Sequence, residues 1–396
     1  MKLNAAYGQL APAFFFTELG ARVAAYQADH PDKRLLRLGV GDVTGPLSPV
    51  VIEALRRAVG EQSKAATFHG YLPETGTDFL KAAVVSYYGR RGVALSPQEV
   101  FISSGAADDL GAIGNLFSVD NRVLVAEPAY PAYADTNRMA GRRIVPLSGN
   151  RANGFLPLPG DDLDGDLVYL CSPNNPTGTA YTRPQLQRWV DWANNHEAVI
   201  VFDAAYEAFI QDEDVPHSIL ELPGAETCAI EICSLSKTAG FTGMRLGYTV
   251  VPRALVREGC SLHHMWTQDR TTRTNGVSYV IQRAGEAALS PAGLRFNREA
   301  IAVYQENGRI LSDALQKTGV WFTGGRNAPY LWLPCPEGMT GWAFFERLLH
   351  EAQIVVTPGE GFGEGGAGHV RLSCFGSPAD TAEAAQRLLT ILKNGI

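Results

Sequence analysis

The chain has 396 residues, 45% of them hydrophobic and 19% charged, which excludes a disordered chain and is ample for a large buried core. That length favours two lobes or domains over one small module. With 34 Lys and Arg against 41 Asp and Glu the net charge is −7, the wrong sign for a sequence-independent nucleic-acid binder.

Six scattered cysteines (171, 228, 233, 260, 335 and 374) form no CxxC pair and suit a reducing compartment. No run is apolar and long enough to span a bilayer. The opening apolar stretch, residues 10–16, is short for a signal peptide and interrupted by Pro12. The expectation is a cytoplasmic protein with neither a membrane nor a nucleic-acid partner.

In chain order, Thr17 is placed to cap a helix in which Leu19, Val23 and Tyr26 recur at i, i+4 and i+7. Residues 50–59 and 79–88 read as helices in the same way. From residue 100 short β-rich runs alternate with loops and helices: 100–102, 123–125, 167–170, 199–202, 230–232 and 248–251. Strands alternating with helical stretches such as 183–194 predict βαβ units and a mostly parallel sheet. After about residue 290 come a long helical stretch, strand runs at 330–332 and 354–356, and a terminal helix from Pro378, the pattern of a smaller α+β unit. Gly361-x-Gly363-x-x-Gly366 has the spacing of a dinucleotide fingerprint. It runs into the strand pattern from Val370 rather than into a helix, so that reading is rejected.

Ligands in an open parallel sheet sit beyond the carboxyl ends of the strands, so the residues just after each run matter most. A small-residue loop, Ser103–Asp108, comes after the first run. Glu127-Pro-Ala-Tyr130 comes after the second and Ser172–Gly178, with Asn175, after the third. Asp203-Ala-Ala-Tyr206 and Ser234-Leu-Ser-Lys237 come after the next two, with Arg245 eight residues later. Singly, each has a bland explanation: Asn175-Pro-Thr-Gly178 is good turn chemistry, Asp203 could cap a helix, and most lysines are solvated. Five polar or aromatic clusters at five strand ends would rarely arise by chance. His263 and His264 have no Cys or carboxylate at a ligand spacing, so no metal site is expected.

The order of small-residue loop, Tyr, Asn-Pro-x-Gly, Asp-x-x-Tyr, Ser-x-Ser-Lys and late Arg resembles the fold-type-I pyridoxal-phosphate aminotransferases over essentially the whole chain. Residues 69–76, 172–178, 237–245, 327–330 and 361–373 are similar to the LL-diaminopimelate aminotransferase family. The resemblance implies an α/β fold: a large domain at 46–287 with a mostly parallel sheet, and a smaller α+β domain formed by 1–45 plus 288–396. It implies pyridoxal 5'-phosphate as cofactor, bonded covalently through Lys237. Asp203 would then face the pyridine nitrogen, where a carboxylate keeps the ring an electron sink. Asn175 and Tyr206 would bond the ring hydroxyl and Tyr130 would stack on the ring. Ser234, Ser236, Arg245 and the amides of Ala106 and Ala107 would hold the phosphate at a helix N-terminus. Arg371 would grip the substrate α-carboxylate with its two-pronged guanidinium, aided by the amide of Gly41 and by Asn175.

The same resemblance implies a homodimer with shared active sites, Tyr71, Glu74 and Asn275 being contributed by the partner. It implies amino-acid and 2-oxo-acid substrates, with LL-diaminopimelate and 2-oxoglutarate as the leading pair. Two positions depart from the family: Ala107 replaces a phosphate-loop lysine and Phe14 a tyrosine of the N-terminal arm. These leave open a relative retuned to another amino acid in specialised metabolism. The cofactor residues alone also leave open elimination or decarboxylation, because they do not choose which bond breaks.

Overall fold

A computed structural model describes residues 1–10 and 15–393. Seven strands form one sheet: β1 (Val100–Ser103), β2 (Arg122–Glu127), β3 (Arg143–Ser148), β4 (Leu167–Cys171), β5 (Val199–Asp203), β6 (Ala229–Ser234) and β7 (Gly247–Val250). Their order across the sheet is β1-β7-β6-β5-β4-β2-β3. Strands β2 to β6 pair in parallel, with Val168 beside Ile200 and Asp203 beside Ile232. Only β7 runs against its neighbours β1 and β6. The carboxyl ends of β1, β2, β4, β5 and β6 therefore share one edge.

Both faces of this sheet are covered, which is why its central strands read as unbroken apolar runs rather than alternating ones. Val168 and Leu170 of β4 pack with Leu186, Trp189, Val190 and Ala193 of helix Arg183–Asn195. Leu167, Tyr169 and Cys171 face the other way, into a core shared with Leu110, Ile113 and Tyr133. Helix Arg183–Asn195 starts where its sequence says it should. Thr182 and Gln185 form a reciprocal capping box, Pro184 occupies the first turn, and the apolar stripe continues at helical spacing.

The C-terminal part builds a four-stranded antiparallel sheet from β8 (Thr323–Gly324), β9 (Tyr330–Pro334), β10 (Thr357–Pro358) and β11 (His369–Ser373), ordered β8-β9-β11-β10. Helix Phe15–Asp29 joins it by burying Leu19, Val23 and Tyr26 against Phe345, Leu348, Val370 and Leu388. Leu36–Arg37 pairs in parallel with Ile354–Val355, tying the N-terminal segment to the C-terminal unit.

Two readings of the sequence need correcting. The first helix already includes Phe15 and Phe16, so Thr17 lies in its first turn instead of capping it. Strand β3 was not expected at all. It is an edge strand carrying Arg143 and Pro146, residues that weaken a strand signal and are tolerated only where one side of the ladder is free. The Gly-rich stretch 359–368 forms two short turns ahead of β11, with no helix opening after it.

Candidate active site

A cavity of about 370 Å³ lies along the shared carboxyl edge. Residues from each of those strand ends line it: Ala106 and Ala107 after β1, Tyr130 after β2, Asn175 after β4, Asp203 and Tyr206 at β5, and Ser234, Ser236 and Lys237 at β6. Arg245 closes one end, while Gly41 and Arg371 close the other from the N-terminal and C-terminal segments. Tyr71, Glu74 and Asn275 do not line it; Tyr71 is 89% exposed and Asn275 is also exposed. Phe14 lies outside the described residues.

One end of the cavity gathers hydrogen-bond donors. Gly105 precedes helix Ala106–Ile113 with φ of 125°, a conformation an L side chain rarely adopts. A Cβ there would come within 2.7 Å of Arg245 Nη2, so a side chain at this position would push the guanidinium away from the turn. The Ala106 and Ala107 amides occupy the helix N-terminus, where free N–H groups and the helix dipole favour negative charge. Arg245 Nη1 donates to Ser236 Oγ at 3.3 Å, and Ser234 Oγ accepts from the Ser236 amide at 3.1 Å. One guanidinium, two hydroxyls and two amides thus converge.

At the centre, Asp203 is buried, and its carboxyl is pushed above the usual carboxylate range by that burial. Two donors hold the carboxylate: Tyr133 Oη at 2.6 Å and the Ala205 amide at 2.9 Å. Tyr206 Oη lies 2.9 Å from Tyr330 Oη, and burial keeps the Tyr206 hydroxyl protonated far above neutrality. Tyr130 contributes an aromatic ring edge-on to Tyr133, with centroids 5.9 Å apart.

At the other end lie Lys237 and Arg371. The Lys237 ammonium bonds the Gly41 carbonyl. Its pKa is pushed down to about 8, chiefly by burial and also by the cations Arg371 and Arg245, with Asp42 opposing. Arg371 is only 2% exposed, far from the surface arginine its strand position could have made it. Nη1 donates to Asn175 Oδ1 at 2.7 Å and Nη2 to the Gly39 carbonyl at 2.8 Å. The guanidinium carbon lies over the Tyr330 and Phe362 rings, 4.4 and 5.0 Å from their centroids. Its Nε has no partner, and among the described residues no carboxylate pairs with it. A buried cation without a counter-ion is costly unless a ligand supplies one.

Sequence reasoning missed Tyr133 and Tyr330. Tyr133 stands three residues after Tyr130, at the start of a short helix, a spacing that could have linked the two. Tyr330 was visible only inside the stretch 327–330 and carried no chemistry of its own until Tyr206 and Arg371 were seen against it.

Comparison with known proteins agrees with this geometry. Residues 33–388 match the profile described as "Aminotransferase class I and II". The chain is 47% identical to an LL-diaminopimelate aminotransferase of Lachnospira eligens, over 98% of this chain and 99% of that one. It is 44% identical to a protein of the same name from Bacteroides fragilis, with 98% of each chain covered. Among solved structures, the L,L-diaminopimelate aminotransferase of Chlamydomonas reinhardtii superposes with a TM-score of 0.93 at 38% identity, covering 98% of both chains. With the profile spanning nine-tenths of the sequence and relatives matched end to end, the chain belongs to the class I and II aminotransferase family.

Proposed function

We propose that the chain is a pyridoxal 5'-phosphate-dependent aminotransferase that moves the amino group of LL-diaminopimelate to 2-oxoglutarate. The observation that carries the reading is the cavity itself. It gathers an anion cradle at one end, a buried carboxylate at the centre, and a lysine of lowered pKa beside a buried guanidinium without a carboxylate partner at the other end. The residues fit the cofactor on structural grounds: the Gly105 turn admits Arg245 where a Cβ would push it away, and the donor set there is that of a phosphate site.

Bound pyridoxal phosphate would supply an electron sink for the carbanion left when the substrate Cα loses its proton. Everything else falls to the chain. Ser234, Ser236, Arg245 and the Ala106 and Ala107 amides would hold the phosphate. Asp203, fixed by Tyr133 and Ala205, would present its carboxylate to the ring nitrogen, and Asn175 and Tyr206 would bond the ring hydroxyl. Lys237 is well suited to take and return the Cα proton, since with a pKa of about 8 its amine is partly neutral at physiological pH. Arg371 would bind the α-carboxylate, so that both amino donor and oxo-acid acceptor enter in one orientation. Its fork is already oriented by Asn175, Gly39 and two rings, which limits the entropy lost on binding.

Tyr71, Glu74 and Asn275 would reach this site in a homodimer, Glu74 facing the distal ammonium of the substrate. The names and the near-complete coverage of the relatives support the diaminopimelate assignment. Ala107, which lines the cavity where the family has lysine, supports a second reading in which the donor is another amino acid. A spectroscopic half-reaction tests the proposal. The cofactor-loaded chain should lose its visible absorbance on addition of LL-diaminopimelate and regain it with 2-oxoglutarate, and Lys237→Ala should do neither. A visible spectrum unchanged by any amino acid would overturn it.

A further inference from the structure

A second cavity, of about 350 Å³, opens between the end of helix Asp78–Gly89, helix Pro291–Gln316 and the turns after β5 and β6. Arg90, Arg91, Arg298 and His217 line it, and no carboxylate does. The charges around it do not cancel. Arg91 is neutralised by Glu207 at 2.6 Å, and the same carboxylate lies 3.3 Å from His217 Nδ1. The guanidinium groups of Arg90 and Arg298, both on exposed residues, have neither an ion pair nor a hydrogen bond among the described residues. Arg90 comes just after a helix C-terminus, where the helix dipole welcomes a cation. The dipole does not explain Arg298. It lies in the third turn of its helix, counted from Ser290 at the cap, beyond the reach of either end.

With Arg91 balanced by Glu207, the two guanidinium groups of Arg90 and Arg298 lining this cavity leave a local charge near +2, which matches a doubly charged tetrahedral oxyanion. Forked N–H donors suit such an anion better than point charges do. We infer that this cavity is a binding site for a phosphate dianion, either free inorganic phosphate or the phosphate of a small monoester. It is separate from the cradle at Gly105 and Arg245, and none of its lining residues takes part in the proposed transamination chemistry. Thr238 lines it directly beside Lys237, so the two sites share the turn after β6.

The test titrates inorganic phosphate, and in parallel glycerol 3-phosphate, into the chain saturated with pyridoxal phosphate, so that the Gly105 cradle is already filled. Calorimetry should show saturable binding of about one equivalent per chain. The exposed pair Arg90→Gln and Arg298→Gln should weaken it at least ~10-fold, the loss expected for charge-assisted bonds. The same variant should keep its aminotransferase kcat/KM in phosphate-free buffer. Tighter binding of one probe than the other assigns the source of the phosphate. No saturable binding tighter than ~10 mM, or an affinity unchanged by the double substitution, would overturn the inference. Either failure leaves the proposed function untouched, because its residues are not altered.

Discussion

Arg371→Lys keeps the charge at the base of the cavity and removes the fork. In the unaltered chain, Nη1 is fixed by Asn175 at 2.7 Å and Nη2 by Gly39 at 2.8 Å, while the Tyr330 and Phe362 rings pack against the guanidinium. A lysine ammonium has no plane to stack and cannot present two parallel N–H bonds to a carboxylate. Losing one charge-assisted bond of the pair costs about 1.5–3 kcal/mol, so kcat/KM should fall ~10- to 150-fold. Because the α-carboxylate is common to both substrates, the loss should be similar for the amino donor and for 2-oxoglutarate. Cofactor uptake, read by absorbance titration, should change by less than about twofold. Steady-state kinetics with each substrate varied in turn measures both. A loss confined to one substrate, or kinetics indistinguishable from the unaltered chain, would refute the carboxylate-binding role.

Gly105→Ala should cut pyridoxal-phosphate affinity by at least ~10-fold, since its Cβ falls 2.7 Å from Arg245 Nη2 and φ is 125°; equilibrium dialysis of the purified variant reads this directly. The rate at which cofactor-free chain takes up pyridoxal phosphate should climb ~10-fold per pH unit below about 8 and level off above it. The sign is set by the lowered amine pKa, which leaves the reactive neutral form dominant only above that value; a flat profile from pH 6 to 9, measured by stopped-flow absorbance, would remove Lys237 from the step. Mixing Lys237→Ala chains with Tyr71→Phe chains should restore activity above either parent, because a hybrid dimer would hold one intact site. No gain on mixing would dispose of shared sites.

Much of this was legible in the sequence for a physical reason: parallel strands buried on both faces must be apolar throughout, so the polar residues at their carboxyl ends stand out. Asn175, Asp203, Lys237 and Arg245 were all found in that way, and each lines the cavity. What stayed hidden depends on contacts between distant segments. Tyr133 matters only because Asp203, seventy residues later, ends 2.6 Å from its hydroxyl. The burial of Arg371 comes from Gly39, Asn175, Tyr330 and Phe362, four segments whose convergence no local pattern announces. Strand β3 was hidden by its own edge residues, Arg143 and Pro146, and the start of the first helix by a Thr17 that resembles a cap but sits inside the first turn.

The measurement that bears most directly on the proposed function is a donor panel with 2-oxoglutarate as acceptor, scored by kcat/KM: LL-diaminopimelate against lysine, ornithine, arginine and aromatic amino acids. LL-diaminopimelate should lead every other donor by at least ~10-fold, because a polar pocket rejects donors that leave its groups unpaired. Another donor clearly ahead would contradict the assignment, and Ala107 would be the first position to revert to lysine in tracing why.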